Sequence, residues 1–196
     1  ASVTVPTVRT LVGCEAETIA PGRFGLTPEF AATLDYVLLS CSHFHMKGFV
    51  EQPEDDSPAA VGRHLVRFFR SAVTSGLPTA IAHPFLPFGF TQRYDEIIAS
   101  ISDAEFADAI GAAAAARVAI EITTAFLPSD HGSWQLETPA RFLRLAKAAG
   151  CRFTFGTDAH STAQQAKLPL LSPLIAAAGI TPSDILPVPF AKQGAA

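Results

Sequence analysis

The feature that most constrains this chain is a regular alternation of apolar, β-branched runs with helical patterns. The sequence predicts strands over residues 8–17, 35–44, 79–83, 117–123 and 152–156. It predicts a short helix from Thr27 and longer helices over residues 58–75, 93–100, 103–116, 138–149 and 170–178. Strands separated by helices at this spacing are typical of parallel βαβ units. We therefore expect an α/β fold, and the pattern alone leaves an open doubly wound sheet and a barrel as alternatives.

Several predicted helices begin with a strong start signal. Thr27-Pro28, Ser57-Pro58 and Thr138-Pro139 each place a side-chain oxygen at the cap position and a proline at the first helical position. Glycines at positions 76 and 150 follow two of these helices and indicate their ends. We therefore expect Thr27, Ser57 and Thr138 to act as N-caps.

Composition narrows the class of protein. The 196 residues are the length of one domain, residues 1–196, and 48% hydrophobic against 16% charged residues excludes a disordered chain. The net charge of -4 excludes the basic surface typical of nucleic-acid binding, and no apolar run is long enough to span a membrane. The three cysteines, Cys14, Cys41 and Cys151, lie in apolar runs. Their odd number predicts free thiols in a reducing compartment, hence a cytoplasmic protein.

Carboxylate and imidazole side chains gather where the predicted strands end. They are Glu15, His43, His45, His83, Glu121, Asp158 and His160. Since the carboxyl ends of parallel strands share one rim, we expect these residues to converge. Carboxylates and imidazoles without thiolates suit Zn, Mn or Fe in a hydrolytic site.

Each of these residues taken alone also has an ordinary structural explanation. Asp158 could cap a following helix, and Glu121 could turn inward and be satisfied by a neighbour. Glu17 has the same strand parity as Glu15 and could replace it as a ligand. The joint occurrence at successive strand ends favours a functional site.

Other residues are weaker candidates. Arg93 could bind an anionic substrate group and His131 could contact substrate, although a surface role fits both equally well. His64 lies in an arginine-rich helix and is expected at the surface. An aromatic loop of Phe85, Phe88 and Phe90 either shapes an apolar part of the site or packs against a neighbour.

The order of the motifs resembles a known superfamily. Gly-Cys-Glu at residues 13–15 is followed by a strand from Asp35 that leads to Ser-His-Phe at residues 42–44. Ala-His-Pro follows at residues 82–84, Ile-Glu-Ile at residues 120–122 and Gly-Thr-Asp-Ala-His-Ser at residues 156–161. This series resembles the PHP (polymerase and histidinol phosphatase) superfamily over residues 13–161.

The resemblance implies a distorted (β/α)7 barrel with two or three divalent metal ions at the C-terminal rim. It implies that Glu15 is a bridging carboxylate and that His43 and His83 complete the site around it. Asp158 matches a ligand of a second ion and His160 a ligand of a third, and the resemblance implies that Glu15 and Asp158 are the catalytic carboxylates. The family implies hydrolysis of phosphoesters, with a small phosphorylated molecule as the substrate.

The chain departs from the family pattern in two ways. The family begins with a His-x-His motif that nothing upstream of residue 8 supplies, so the expected barrel is incomplete at its N-terminus. We expect an N-terminal segment or a partner chain to complete it and to cover the strand at residues 8–17. His43 also lies one residue farther from Asp35 than the family pattern expects, an offset that a β-bulge could absorb. His45, on the same face of the strand, is therefore a second candidate ligand.

The leading interpretation is therefore a metal-dependent phosphoester hydrolase. A metal-dependent amidohydrolase shares the barrel and similar ligands, although no lysine is suited to bridge metals. A degenerate PHP-like domain with a structural or regulatory role is the alternative that is not an enzyme.

Overall fold

The computed structural model describes residues 10–128 and 133–187. The strands within these ranges are β1 (Gly13–Ala20), β2 (Arg23–Phe24), β3 (Tyr36–Ser40), β4 (Ala80–Ala82), β5 (Ala119–Thr123) and β6 (Phe153–Gly156). The α-helices are α1 (Pro28–Ala31), α2 (Pro58–Val73), α3 (Tyr94–Ala99), α4 (Asp103–Ala116), α5 (Glu137–Ala148) and α6 (Ser172–Ala178). Short 3-10 helices cover Thr91–Arg93, Thr124–Phe126, Thr162–Leu171 and Pro182–Asp184.

The strands form one six-stranded sheet in the order β2-β1-β3-β4-β5-β6. Neighbouring strands are parallel from β1 to β6, and only the two-residue β2 is antiparallel to its neighbour. A doubly wound sheet reverses its strand order at a switch point, and the described strands show no such reversal. The predicted α/β fold with parallel strands is confirmed. The described sheet is not closed into a barrel, because β2 and β6 are its two edge strands.

The sheet curls around one face. Tyr36 on β3 and Thr154 on β6 are three strands apart, which is about 14 Å in a flat sheet. Their side chains nevertheless interact across the face, and this contact counteracts part of the increase that burial causes in the pKa of Tyr36. Glu15 on β1 likewise reaches His83, directly after β4. The strands therefore surround a concave face.

The opposite, convex face carries the hydrophobic core. Leu39, Ile81, Ile120 and Phe153 point to this side and are fully buried or nearly so. A group of aromatic rings from the helices and loops packs with them, namely Phe68, Phe69, Phe85, Phe106, Phe126 and Phe142. Since the helices cover this apolar face, the polar residues of alternate strand positions are left on the concave face.

The predicted helix starts are confirmed at two positions and wrong at a third. Thr27 and Ser57 cap α1 and α2, and each is followed by proline. Thr138 is not an N-cap, because it lies in the first turn of α5 and its hydroxyl donates to the carboxylate of Asp95. The Thr138 hydroxyl thus hydrogen-bonds to a residue distant in sequence instead of capping the helix, as the local sequence predicted.

His64 is buried, not exposed as the arginine-rich helix suggested. Its ring packs on Phe68, with centroids 4.5 Å apart, and edge-on against Phe44. Its Nε2 lies 2.9 Å from the carbonyl oxygen of Glu51, and its Nδ1 lies 3.0 Å from the Arg67 guanidinium. The hydrophobic side of α2 is therefore wider than its sequence indicated.

The cysteines are free, as predicted, with Cys41 and Cys151 buried. Burial raises the pKa of the Cys151 thiol to about 11. Among the described helices, none combines the length and apolar character needed to cross a membrane.

Candidate metal centre

Three side chains come together at the rim of the concave face: Glu15, His43 and His83. One potential ligand atom from each lies within 4.8 Å of the others. Glu15 comes from within β1, because this strand runs on to Ala20 and does not end at Glu15 as the sequence suggested. The histidines follow β3 and β4. This group could hold a metal ion.

The ring of His83 is held in one orientation. Its side chain is buried, and its Nδ1 lies 3.0 Å from the Ser42 hydroxyl, which is also 3.4 Å from the His83 carbonyl oxygen. When the hydroxyl donates to that carbonyl it accepts a hydrogen bond from Nδ1–H. Nε2 then carries the lone pair, and it lies 3.3 Å from Oε1 of Glu15. In that arrangement Ser42 supports the tautomer that can bind a metal.

The ring of His43 is oriented by a carboxylate. Its Nδ1 lies 2.6 Å from Oε2 of Glu17 and 3.1 Å from the Ser40 hydroxyl. These contacts leave Nε2 as the nitrogen available to a ligand. A carboxylate behind a metal-binding imidazole fixes its tautomer and raises its basicity. Glu17, weighed above as a replacement for Glu15, instead supports His43.

The side chain of Glu121 points into the concave face and accepts a hydrogen bond from a neighbouring residue. Its side chain is buried on the concave side, and Oε2 accepts a hydrogen bond of 3.0 Å from the backbone N–H of His83. Burial raises the pKa of Glu121, while the charge of His83 and this hydrogen bond oppose the increase. Glu121 therefore ties the end of β5 to the turn that carries His83.

The group is electrostatically coupled. The hydrogen bond and charge of His83 lower the pKa of Glu15 despite its partial burial. Burial alone would lower the pKa of His83, but the hydrogen bond and charge of Glu15 raise it. The two side chains thus favour an ion pair. In this ion pair a proton lies between Nε2 of His83 and Oε1 of Glu15, where a metal cation could bind instead.

Backbone strain concentrates at this rim. Four described non-glycine residues have positive φ: His83 at 30°, Phe85 at 60°, Arg117 at 58° and Asp158 at 49°. Three of them follow β4 and β6 at the candidate site. Each such residue costs of order 1–3 kcal/mol and persists only where surrounding contacts impose it, as at many functional sites.

Asp158 lies on the same rim, outside the three-residue group. It lines a cavity of about 280 Å³ on the concave face together with Glu15, His83 and Glu121. Its charge raises the pKa of both His83 and Glu121. This position leaves Asp158 available to a second ligand or ion.

His160 is not drawn into the group. Its side chain is 82% exposed, and its Nδ1 lies 2.9 Å from the carbonyl oxygen of Asp158. Its backbone N–H donates to Gln164. The structure places His160 at the outer margin of the rim.

His45 also stays outside the group. Its ring centroid lies 5.2 Å from that of His43, and the side chain is exposed. Burial and the neighbouring His43 lower the pKa of His45. Despite the one-residue offset after Asp35, it is His43 and not His45 that lies next to Glu15.

Arg93, one of the two candidate substrate contacts, does not lie at the group. Arg93 pairs with Glu96 and donates to the carbonyl oxygen of Asp56, and it lines a separate cavity beside Lys47. Its guanidinium is therefore engaged away from the rim. His131 lies outside the described residues.

Sequence reasoning missed Ser42 and the exact place of the aromatic loop. Ser42 precedes His43 and could have been noticed as a polar residue in an apolar strand end. The Phe88 ring lies 5.0 Å from the His83 ring and 5.2 Å from the His43 ring, whereas Phe85 belongs to the core. Phe88 thus forms an apolar wall directly beside the imidazoles.

Comparison with known proteins adds no assignment. No protein-family model matches the chain, and no curated protein sequence matches it.

Proposed function

We propose that this protein is a metal-dependent hydrolase of phosphoesters of the PHP type. The observation that carries the proposal is the Glu15–His43–His83 group. In this group Nδ1 of His43 contacts the carboxylate of Glu17, and Nδ1 of His83 contacts the hydroxyl of Ser42. An oriented pair of imidazoles with a carboxylate is the donor set of many hydrolytic metal sites.

The donor set fits a divalent cation. Two ligands bound at about 2.0–2.1 Å in tetrahedral geometry lie about 3.4 Å apart, and Nε2 of His83 is 3.3 Å from Oε1 of Glu15. Nitrogen and oxygen donors without thiolate suit Zn, Mn or Fe. We propose Asp158 and His160 as ligands of further ions, to give a cluster of two or three.

Residues of this chain prepare the rim for hydrolysis. Bound divalent cations generate hydroxide from water near neutral pH and polarise a phosphoryl oxygen. Glu15 supplies negative charge to the cations, and Glu17 and Ser42 keep both Nε2 lone pairs directed outward from their supporting contacts. The Phe88 ring keeps water from one side of the imidazoles, which strengthens the electrostatic interactions there.

We further propose that the curved sheet belongs to a distorted (β/α)7 barrel. On the outer edge of β1, β2 pairs with Thr18 and Ala20 only. Tyr36 and Leu38 on the concave face are half-buried within the described part of the chain. A preceding segment of the full-length protein or a partner chain would pair with β1 and cover this face.

The test combines metal analysis with turnover. Purified full-length protein loaded with Zn, Mn or Fe is assayed on an aryl phosphate and on an aryl amide. Glu15→Gln is expected to lose more than one equivalent of metal and essentially all phosphate hydrolysis, because it removes the carboxylate that bridges cations. The matched control, Glu29→Gln, changes an exposed carboxylate at the start of α1 and should behave as the wild type.

The outcomes separate the candidate functions. Normal metal content and activity in Glu15→Gln would remove the bridging role and the proposal with it. Turnover of the amide alone would identify an amidohydrolase. Tight metal binding with neither activity would identify a domain with a structural or regulatory role.

A further inference from the structure

A second cavity opens beside the metal centre. It has a volume of about 230 Å³ and is formed by the segments that follow β4, β5 and β6. Asp158 lines both this cavity and the one that contains Glu15 and His83. Phe88 lines it as well, while its ring packs on His83 and His43. A ligand bound at the metal centre would therefore extend into this cavity.

The cavity has an apolar wall. Leu86, Phe88, Ala125 and Trp134 contribute hydrophobic surface. Trp134 is held in place because its indole N–H donates to the carbonyl oxygen of Phe126 at 2.8 Å and its ring packs edge-on against Tyr94. A cavity of this volume, below the roughly 300–1,000 Å³ of pockets for drug-sized ligands, suits a small ligand such as one substituted ring.

Lys167 contributes an ammonium group to the lining of this cavity, and the exposed His160 contributes an imidazole. Lys167 belongs to the 3-10 helix Thr162–Leu171 and lines the cavity, and no carboxylate of the described residues pairs with it. The carboxylate in the lining, Asp158, lies at the end that adjoins the metal centre. The cavity therefore adjoins the candidate metal centre and combines apolar side chains with an ammonium group.

We propose that this cavity binds the alcohol part of a small phosphomonoester, that this part is apolar and compact, and that it carries a second negative charge which Lys167 neutralises. The inference rests on the proposed function in that the phosphoryl group is placed at the Glu15–His43–His83 group. It goes further in naming the class of substrate, which is a small molecule that carries a phosphoryl group and a second, separate negative charge and is not a nucleic acid.

The test uses two non-hydrolysable probes that differ by a single carboxylate, phenylphosphonate and 4-phosphonobenzoate. Trp134 is the only tryptophan of the chain and lines the cavity, so its fluorescence reports occupancy without any catalytic step. With metal-loaded protein, we expect 4-phosphonobenzoate to bind about fivefold more tightly than phenylphosphonate, the strength of an exposed ion pair. Lys167→Met should abolish this preference and leave phenylphosphonate binding unchanged.

A matched variant controls for overall charge. Lys47→Met removes an ammonium group that lines a different cavity, and it should keep the wild-type preference. Equal binding of both probes, binding of neither, or a preference that persists in Lys167→Met would overturn the inference. A Lys167-dependent preference in a protein that hydrolyses no phosphoester would support the cavity assignment and refute the proposed function instead, so the two failures are distinguishable.

Discussion

The carboxylate of Glu17 lies 2.6 Å from Nδ1 of His43, and its second oxygen, Oε1, is buried without a hydrogen-bond partner among the described residues. A buried carboxylate oxygen with no partner is costly unless positive charge lies nearby. A metal-bound His43 would supply that charge through its ring. The pair thus has the form of a carboxylate–histidine support for a cation.

The first prediction concerns this support. Glu17→Gln should lower metal affinity about 10- to 100-fold, because the amide holds the His43 ring less firmly and lacks the charge that raises its basicity. The measurement is a competition titration with a coloured zinc chelator, and unfolding by urea under chelation shows that the fold is retained. Wild-type affinity in the folded variant would mean that Glu17 merely packs against His43.

The second prediction distinguishes the two neighbouring imidazoles. His43→Asn should lower metal affinity more than about 100-fold, a larger loss than that of a supporting residue. His45→Asn should change it by less than about threefold, because the His45 side chain is exposed and lies outside the three-residue group. Metal content after dialysis, measured by mass spectrometry, compares the two. A larger loss in His45→Asn would show that His45 is the ligand.

The third prediction concerns Gly156. A Cβ at this position would lie 2.0 Å from Oε1 of Glu121, whose other oxygen accepts the His83 backbone N–H. Gly156→Ala must displace that buried carboxylate, so we expect a loss of about 1–3 kcal/mol in the free energy of unfolding. Urea unfolding under chelation measures it, and metal affinity should fall as His83 shifts.

Gly111 provides the control for the third prediction. It lies inside α4, and a Cβ there would meet no atom within 4 Å. Gly111→Ala should therefore raise stability by up to about 1 kcal/mol, since alanine is the better helix former. If Gly156→Ala were as stable as the wild type, the close approach to Glu121 would be refuted.

The fourth prediction concerns the pH dependence of stability. Burial lowers the pKa of His64, an effect that the carbonyl of Glu51 partly opposes. In the unfolded chain the imidazole binds a proton near pH 6.5. Between that pH and its lower folded pKa the unfolded state holds more protons, so stability falls as pH decreases through this window.

The measurement is urea unfolding at a series of pH values from 7 to 5, with a chelator present. His64→Gln should flatten the slope of unfolding free energy against pH by up to about 1.4 kcal/mol per unit. An unchanged slope in His64→Gln would show that this ring is protonated as readily in the folded state as in the unfolded chain.

Much of the fold follows from local pattern. The boundaries of α4 agree with the prediction, and α2 begins at the proline that follows its Ser57 cap. Capping, helix propensity and apolar runs act over a few residues, so the sequence displays them directly. The five predicted strands are present with less accurate ends, and β2 was not predicted, because the extent of a strand depends on which neighbour it pairs with.

The sequence by itself determined the main helices and strands, the parallel direction of those strands and the set of polar residues on or directly after them. Only the tertiary structure decided which of them meet. The curvature of the sheet brings Glu15, in the interior of β1, to His83, and it leaves His160 at the margin. The same packing turned Glu17 into a support and buried His64. These outcomes depend on contacts between residues far apart in the chain, which periodicity and spacing do not encode.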